Sequence, residues 1–193
     1  MPRPHRVDYE FAWHHVMNRG VARQSIFPTE SDRQLFLDLI VQSFTPRGVE
    51  VHGYCLMDNH FHILVRSRDA ALSKAMQWFA SRYTQRINYR DGRDGPIFSG
   101  RYTSVGITSE AHLVNVSRYI HLNPVQASLV ADPQLWSWSS AAAYLDPRRR
   151  PPWLITADIL AMFQDRAPGG DYASFLRDGV DEATARQYAT VQS

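Results

Sequence analysis

The sequence predicts an α+β domain with an antiparallel sheet, its first six elements running β-α-β-β-α-β in the ferredoxin-like arrangement. Three observations carry this. Short segments with period-two alternation recur. Two longer segments with apolar residues at helical spacing separate them. Two of the strands are joined so tightly, at Asp58-Asn59, that they must pair as a hairpin. A further helix follows the core, and a helical C-terminal extension follows that.

The elements read as follows. Phe11 to Asn18 alternates Phe11, Trp13, His15 and Met17 with Ala12, His14, Val16 and Asn18, which predicts a strand ended by Asn18-Arg19-Gly20. Leu35, Phe36, Leu39, Ile40 and Phe44 predict a helix from Thr29 to Phe44, with Thr29 and Asp32 forming a capping box. Pro46-Arg47-Gly48 stops it. Val49 to Met57 and Phe61 to Arg66 are the hairpin strands. Leu72, Met76, Phe79 and Tyr83 mark a second helix from about Ala70 to Tyr89. A turn-rich break spans Asp91 to Pro96, and Ile97 to Ile107 reads as extended, with an irregularity at Gly100. Thr108 is expected to cap a third helix whose buried stripe is Leu113, Val116 and Ile120, with Pro124 halting it. Beyond Leu129 the periodicity loosens. Trp136 to Tyr144 reads as a short helix, Asp146 to Pro152 as a Pro/Arg linker, and Ile155 to Phe163 and Tyr172 to Tyr188 as short helices. This divides the chain into a domain at 5–145 and an extension at 146–193 with no assignable role.

Composition narrows the class. Hydrophobic residues at 44% suffice for a core, and no run approaches the ~18 apolar residues that span a bilayer, so no membrane partner is expected. The basic N-terminus has no apolar stretch behind it and does not read as a secretory signal. The single cysteine, Cys55, cannot form an intramolecular disulfide and suits a reducing cytoplasm. A net charge of +2 does not by itself predict nucleic-acid binding, but the distribution of charge says more. Arg82, Arg86, Arg90, Arg93 and Arg101 lie in one region and Arg148-Arg149-Arg150 in another, with acidic residues gathered near the C-terminus. Lys74 is the only lysine, and arginine favours planar, bidentate phosphate contacts.

One constellation carries chemistry. His60 and His62 lie one residue apart on a strand, so their imidazoles share a face. The strand continues Ile63-Leu64-Val65 and is central, so buried imidazoles there need partners. A divalent metal is one such partner. No cysteine or carboxylate stands at zinc-site spacing, and Asn123 is the remaining oxygen donor. Two nitrogens, one oxygen and open positions fit weakly held Mg2+ or Mn2+ better than structural zinc. Tyr119 lies four residues before Asn123, on the face it shares with Asn115 and Asn123 and off the apolar stripe, which leaves its hydroxyl available. A phenol needs a cation, metal or base to act as a nucleophile at neutral pH. Tyr83 reads as core, and Tyr102 as packing or stacking.

Four blocks, Met17-Asn18-Arg19-Gly20, Tyr54 to Leu64, Phe98-Ser99-Gly100-Arg101-Tyr102 and Arg118 to Val125, resemble in order and spacing the REP-associated tyrosine transposases of the single-tyrosine HUH superfamily. Trp136 to Tyr144 resembles that family's closing motif. The resemblance implies metal-dependent cleavage and rejoining of hairpin-bearing single-stranded DNA through a 5′-phosphotyrosine. It implies His60 and His62 as the metal pair, Asn123 as third ligand where insertion-sequence relatives more often show Gln, and Tyr119 as the nucleophile. Arg3, Arg6, Arg82, Arg86 and Arg101 are the expected DNA contacts. A bacterial cytoplasmic, nucleoid-associated monomer or homodimer is expected. Two other readings stay open: a relative that holds hairpin nucleic acid without cutting, and an unrelated metallohydrolase using His60 and His62.

Overall fold

The computed structural model describes residues 8–163 and 171–179. Within them the predicted core is present: β1 (Ala12–Arg19), α1 (Glu30–Phe44), β2 (Val49–Leu56), β3 (His60–Ser67), α2 (Leu72–Asp91) and β4 (Thr103–Ile107). The sheet order is β2-β3-β1-β4, and every neighbouring pair is antiparallel. The Thr29–Asp32 capping box forms at the start of α1. After β4 come α3 (Glu110–Gln126), α4 (Ala141–Leu145), α5 (Ala157–Ala161) and α6 (Tyr172–Arg177).

Strand alternation divides the molecule into two cores. Val16, Phe61, Ile63 and Val65 point to α1 and α2, where they pack with Phe36, Ile40, Phe79 and Tyr83. Met17, Cys55 and Leu64 point the other way, against Val116, Tyr119 and Ile120 of α3. As expected, Tyr83 is core, and its hydroxyl donates to the Ile26 carbonyl at 2.5 Å.

Three local expectations are corrected. The extended reading of Ile97 to Ile107 holds only from Thr103, because Ile97, Phe98 and Tyr102 turn into the α1/α2 core instead of continuing the ladder. The cap of α3 is Ser109, not Thr108: its hydroxyl accepts from the His112 N–H at 3.2 Å. Pro124 does not stop α3, which runs on to Gln126. A proline removes a donor, but its fixed φ is itself helical. The helix ends where Ser128 enters the left-handed region at φ 57° and the Leu129 N–H returns to the Pro124 carbonyl at 2.9 Å.

The residues after α3 close the free edge of β2. Trp136 Nε1 donates to the Leu56 carbonyl at 3.1 Å, and the Leu56 N–H to the Trp138 carbonyl at 2.9 Å. The Ile155 N–H reaches the Val51 carbonyl at 2.9 Å. An edge strand's unpaired backbone groups are thereby occupied. Tyr172 of α6 is buried, and its hydroxyl bonds the His121 ring at 2.6 Å and Ser117 at 3.1 Å.

Candidate active site

β1 and the β2–β3 hairpin fix one rim of the site. Gly20 N–H donates to the Asn59 carbonyl at 2.8 Å, holding the end of β1 against the turn that precedes His60. A side chain at Gly20 would place its Cβ 2.1 Å from the Gln24 carbonyl oxygen, so the turn requires glycine. The β1–β3 register then sets Arg19 opposite His60, Met17 opposite His62 and His15 opposite Leu64. Cross-strand pairs share a face. Arg19, His60, His62 and His15 therefore all belong to the face that α3 covers.

The structure brings His60, His62, Asn123 and Tyr119 together. The His60 Nε2 and Asn123 Oδ1 atoms are 3.3 Å apart. The His60 and His62 ring centroids lie 5.1 Å apart, and the edge-on Tyr119 ring is 5.4 Å from that of His62. His62 is fully buried, Asn123 and Tyr119 nearly so, and His60 is the most exposed of the four at 9%. The burial of Tyr119 differs from its predicted place off the apolar stripe. Tyr119 turns onto the sheet against His15 and His62, while the chain beyond Leu129 covers the opposite face at Ser117 and His121, so residues 116 to 124 of α3 are buried on every side.

Burial governs the ionisation of these rings. It pushes His62 well below the ordinary imidazole value, helped by His15 and His60 nearby. His60 is lowered by burial too, partly offset by Asn123 and Asp58. Both are neutral near pH 7, the form that ligates metals.

The donor set fits a small divalent cation. His60 Nδ1 lies 2.7 Å from Asn59 Oδ1, an atom that can only accept, so the ring proton sits on Nδ1. Nε2 is then a bare lone pair facing Asn123 Oδ1, a second acceptor. His62 Nε2 is buried with no hydrogen-bond partner among the described residues, and so is Asn123 Nδ2. His60 Nε2 and Asn123 Oδ1, with the His62 ring beside them, offer a cation two imidazole nitrogens and one amide oxygen. No group of three or more His, Cys, Asp or Glu among the described residues is placed to hold a metal, so this set of two imidazoles and one amide is the candidate.

Sequence reasoning missed two neighbours. His15 Nε2 lies 2.9 Å from His62 Nδ1, and burial lowers His15 to about 3. Its ring also sits edge-on to Tyr119 at 6.0 Å. Arg19, opposite His60, has its NH1 nitrogen buried without a hydrogen-bond partner among the described residues. The signal existed for both: they share the alternation of β1 with Met17. What was lacking was the register that pairs β1 with β3.

A family profile described as "Transposase IS200 like" matches residues 9–123, which contain every element from β1 to Asn123 of α3. The chain belongs to the IS200-like transposase family. Among solved structures, the fold matches that of a REP-associated tyrosine transposase bound to a REP hairpin, with a TM-score of 0.66 at 16% identity over 80% of this chain and 92% of that one. A structure from Deinococcus radiodurans R1 matches with a TM-score of 0.43 at 13% identity, covering 67% of this chain and 95% of that chain. No curated protein matches the sequence significantly.

The predicted DNA contacts are dispersed. Arg82, Arg86 and Arg101 are exposed, Arg82 with its guanidinium 5.7 Å from the Trp78 ring. Arg3 and Arg6 lie outside the described residues. Two arginines of the same region and the second cluster are already tied to carboxylates: Arg90 pairs with Asp32 and Asp91, and Arg148 with Asp146. No helix among the described residues is long and apolar enough to cross a membrane.

Proposed function

We propose that this transposase-family chain cleaves and rejoins hairpin-bearing single-stranded DNA by transesterification on Tyr119. The observation that carries the reading is the convergence of Tyr119, His60, His62 and Asn123 on one buried point in a chain of this family. The Tyr119 oxygen bonds to the scissile phosphorus as its proton is lost. The bond to the 3′ oxygen breaks and that oxygen takes up a proton, leaving a 5′-phosphotyrosine and a free 3′-hydroxyl. The reverse attack reseals a strand without a nucleotide, since the phosphotyrosine keeps the energy of the phosphodiester. A divalent ion, Mg2+ or Mn2+, held by His60, His62 and Asn123, would supply charge neutralisation and orientation at a nonbridging phosphate oxygen. His15 fixes the His62 ring from behind. Arg19 supplies a cation on the rim beside His60, the most exposed member and so the side of entry for the phosphate. Arg82, Arg86 and Arg101, with Arg3 and Arg6, contribute backbone contacts. Its DNA partner in this reading is a single-stranded hairpin; its structural neighbour is bound to a REP hairpin.

Trapping tests this. Incubation with a hairpin oligonucleotide and Mn2+ should give a denaturation-resistant adduct whose 5′-phosphate maps to Tyr119. Tyr119→Phe should abolish adduct and cleavage together while DNA affinity stays within about two-fold, because backbone contacts supply most of that affinity. Tyr83→Phe and Tyr102→Phe should retain the adduct. Cleavage without an adduct would make the protein a hydrolase, and hairpin binding with neither would make it a non-cleaving binder.

A further inference from the structure

The turn after β1 and the turn between β2 and β3 are stitched together beside His60. The Gly20 N–H donates to the Asn59 carbonyl at 2.8 Å, and the Ile26 N–H and Ser25 hydroxyl both donate to the Asp58 carbonyl, at 3.0 and 3.2 Å. The Asn59 side chain closes the stitch by donating from Nδ2 to the Arg23 carbonyl at 3.3 Å. That carbonyl is set by a strained backbone. Ala22 and Arg23 both lie in the left-handed region, at φ 50° and 59°, where a residue with a Cβ is disfavoured. The Arg23 N–H, donating to the Gly20 carbonyl at 3.1 Å, and the Gln24 N–H, donating to the Val21 carbonyl at 3.0 Å, hold the turn in that form. Such conformations persist only where the surroundings over-determine them, and they gather at functional sites.

A carbonyl oxygen can only accept, so it fixes which end of the Asn59 amide faces it. Nδ2 faces Arg23, and Oδ1 then faces His60 Nδ1, at 2.7 Å. The other ring nitrogen, Nε2, meets a second amide oxygen, Asn123 Oδ1, at 3.3 Å. A neutral imidazole carries one ring proton, and these two oxygens compete for it. On Nε2, the proton would bond Asn123 and tie two of the three candidate metal donors to each other. On Nδ1, it leaves the Nε2 lone pair and the Asn123 oxygen available. The shorter contact decides for Asn59.

We infer that Asn59 is a positioning residue: its amide, oriented by the Arg23 carbonyl, keeps the His60 proton on Nδ1 and so prevents His60 and Asn123 from closing the site on each other. The inference rests on the metal-assisted reading above and gives the strained turn after β1 a task in it. Gly20, whose Cβ-free approach to Gln24 the turn requires, and the left-handed pair that follows deliver one carbonyl to one amide. The amide passes that constraint to the ring. Partners of this kind, behind the ligating nitrogen, set the tautomer and orientation of a metal-binding histidine.

Nitrogen NMR of the full chain, labelled only at its histidine rings, tests this without metal or DNA. At neutral pH wild-type His60, identified by the signals lost in His60→Ala, should show a protonated Nδ1 and an unprotonated Nε2. Asn59→Ala should move that proton to Nε2. It should also weaken Mn2+ binding by about ten-fold or more, read by electron paramagnetic resonance of free Mn2+, the usual worth of a partner behind a ligating histidine. Asn59→Asp keeps an acceptor beside Nδ1 and should rescue both readouts, with Nδ1 protonated and Mn2+ affinity weakened by no more than about three-fold. Thermal melts confirm that the variants fold. A purely structural role would lower the melting temperature of both variants and leave the His60 proton where it was, and that result overturns the inference. So does a wild-type His60 protonated at Nε2, or a folded Asn59→Ala protein with wild-type Mn2+ affinity. Wild-type protein that carries the Nδ1 proton yet binds no Mn2+ is a separate failure. It removes the metal from the reading above, and with it the purpose given to Asn59.

Discussion

A buried imidazole nitrogen with no hydrogen-bond partner costs free energy unless something arrives to use it. Among the described residues His62 Nε2 is such an atom, and the same ring is bonded at Nδ1 by His15, which leaves Nε2 as the end the proposed metal would use. Partners behind a ligating histidine commonly contribute 10–100-fold in metal affinity. His15→Phe keeps an aromatic ring between β1 and Tyr119 but removes the bond. It is expected to weaken Mn2+ binding by roughly ten-fold or more, read by electron paramagnetic resonance of free Mn2+ without any DNA present. Unchanged Mn2+ affinity in a folded His15→Phe protein would reduce His15 to packing. His60→Ala and His62→Ala should each abolish cleavage while hairpin affinity stays within about three-fold, since the proposed phosphate contacts lie elsewhere. Wild-type cleavage by either variant in Mg2+ or Mn2+ removes the metal site from the mechanism. His60 and His62 were legible because strand alternation is a local property. His15 was not: its partner lies 47 residues away, and only the register joins them.

At the scale of elements, α3 is the piece whose position matters most, because it delivers both Tyr119 and Asn123. Its outer face is held by a buried chain: His121 Nδ1 meets the Tyr172 hydroxyl at 2.6 Å, His121 Nε2 meets the Ser140 hydroxyl at 2.7 Å, and the Tyr172 hydroxyl reaches Ser117 at 3.1 Å. Gly53 of β2 lies against this chain, where a Cβ would sit in ordinary van der Waals contact with Ser140 Oγ at 3.6 Å and His121 Nε2 at 3.8 Å. Tyr172→Phe strands a ring nitrogen and a serine in the interior. It is expected to cost about 1–3 kcal/mol in urea unfolding, by the usual penalty for a buried unsatisfied group. A loss under about 0.3 kcal/mol would mean that water replaces the hydroxyl and that α6 does not brace α3. The core elements were readable because their periodicities are strong and their caps local. The enclosure of α3 was not, because the residues that cover it come from Trp136 onward, where no period marks which face is buried. Its true end was hidden too: Pro124 looks like a stop in sequence, whereas Ser128 in a left-handed conformation is what ends the helix.

For the molecule as a whole, the sheet separates an aromatic core beneath α1 and α2 from a face rich in neutral histidines beneath α3, and that distribution sets its response to acid. His52 illustrates it at a distance from the site. It lies at the β2 irregularity, fully buried, with Trp13 at 4.3 Å between ring centroids. Glu50 and Asp158 stand 3.7 and 4.0 Å from its nitrogens, which would favour protonation. Each carboxylate is already engaged by an arginine, Glu50 by Arg68 at 3.6 Å and Asp158 by Arg66 at 3.5 Å. Burial therefore dominates, Arg66 adds to it, and the Ile155 backbone only partly opposes; His52 falls to about 3. The folded value lies below that of the unfolded chain, about 6.5. Between them the unfolded chain binds a proton that the folded one does not, so stability is fully present above about 6.5 and is lost as pH falls toward 3. Melting temperature should accordingly hold steady from pH 8 to 7 and fall by several degrees by pH 4.5. His52→Phe, which keeps a ring against Trp13 and cannot titrate, should make that decline measurably shallower, whatever it does to stability at pH 7. Parallel melting curves for wild type and His52→Phe across this range would show that His52 is charged in the fold, and that its two carboxylates outweigh its burial.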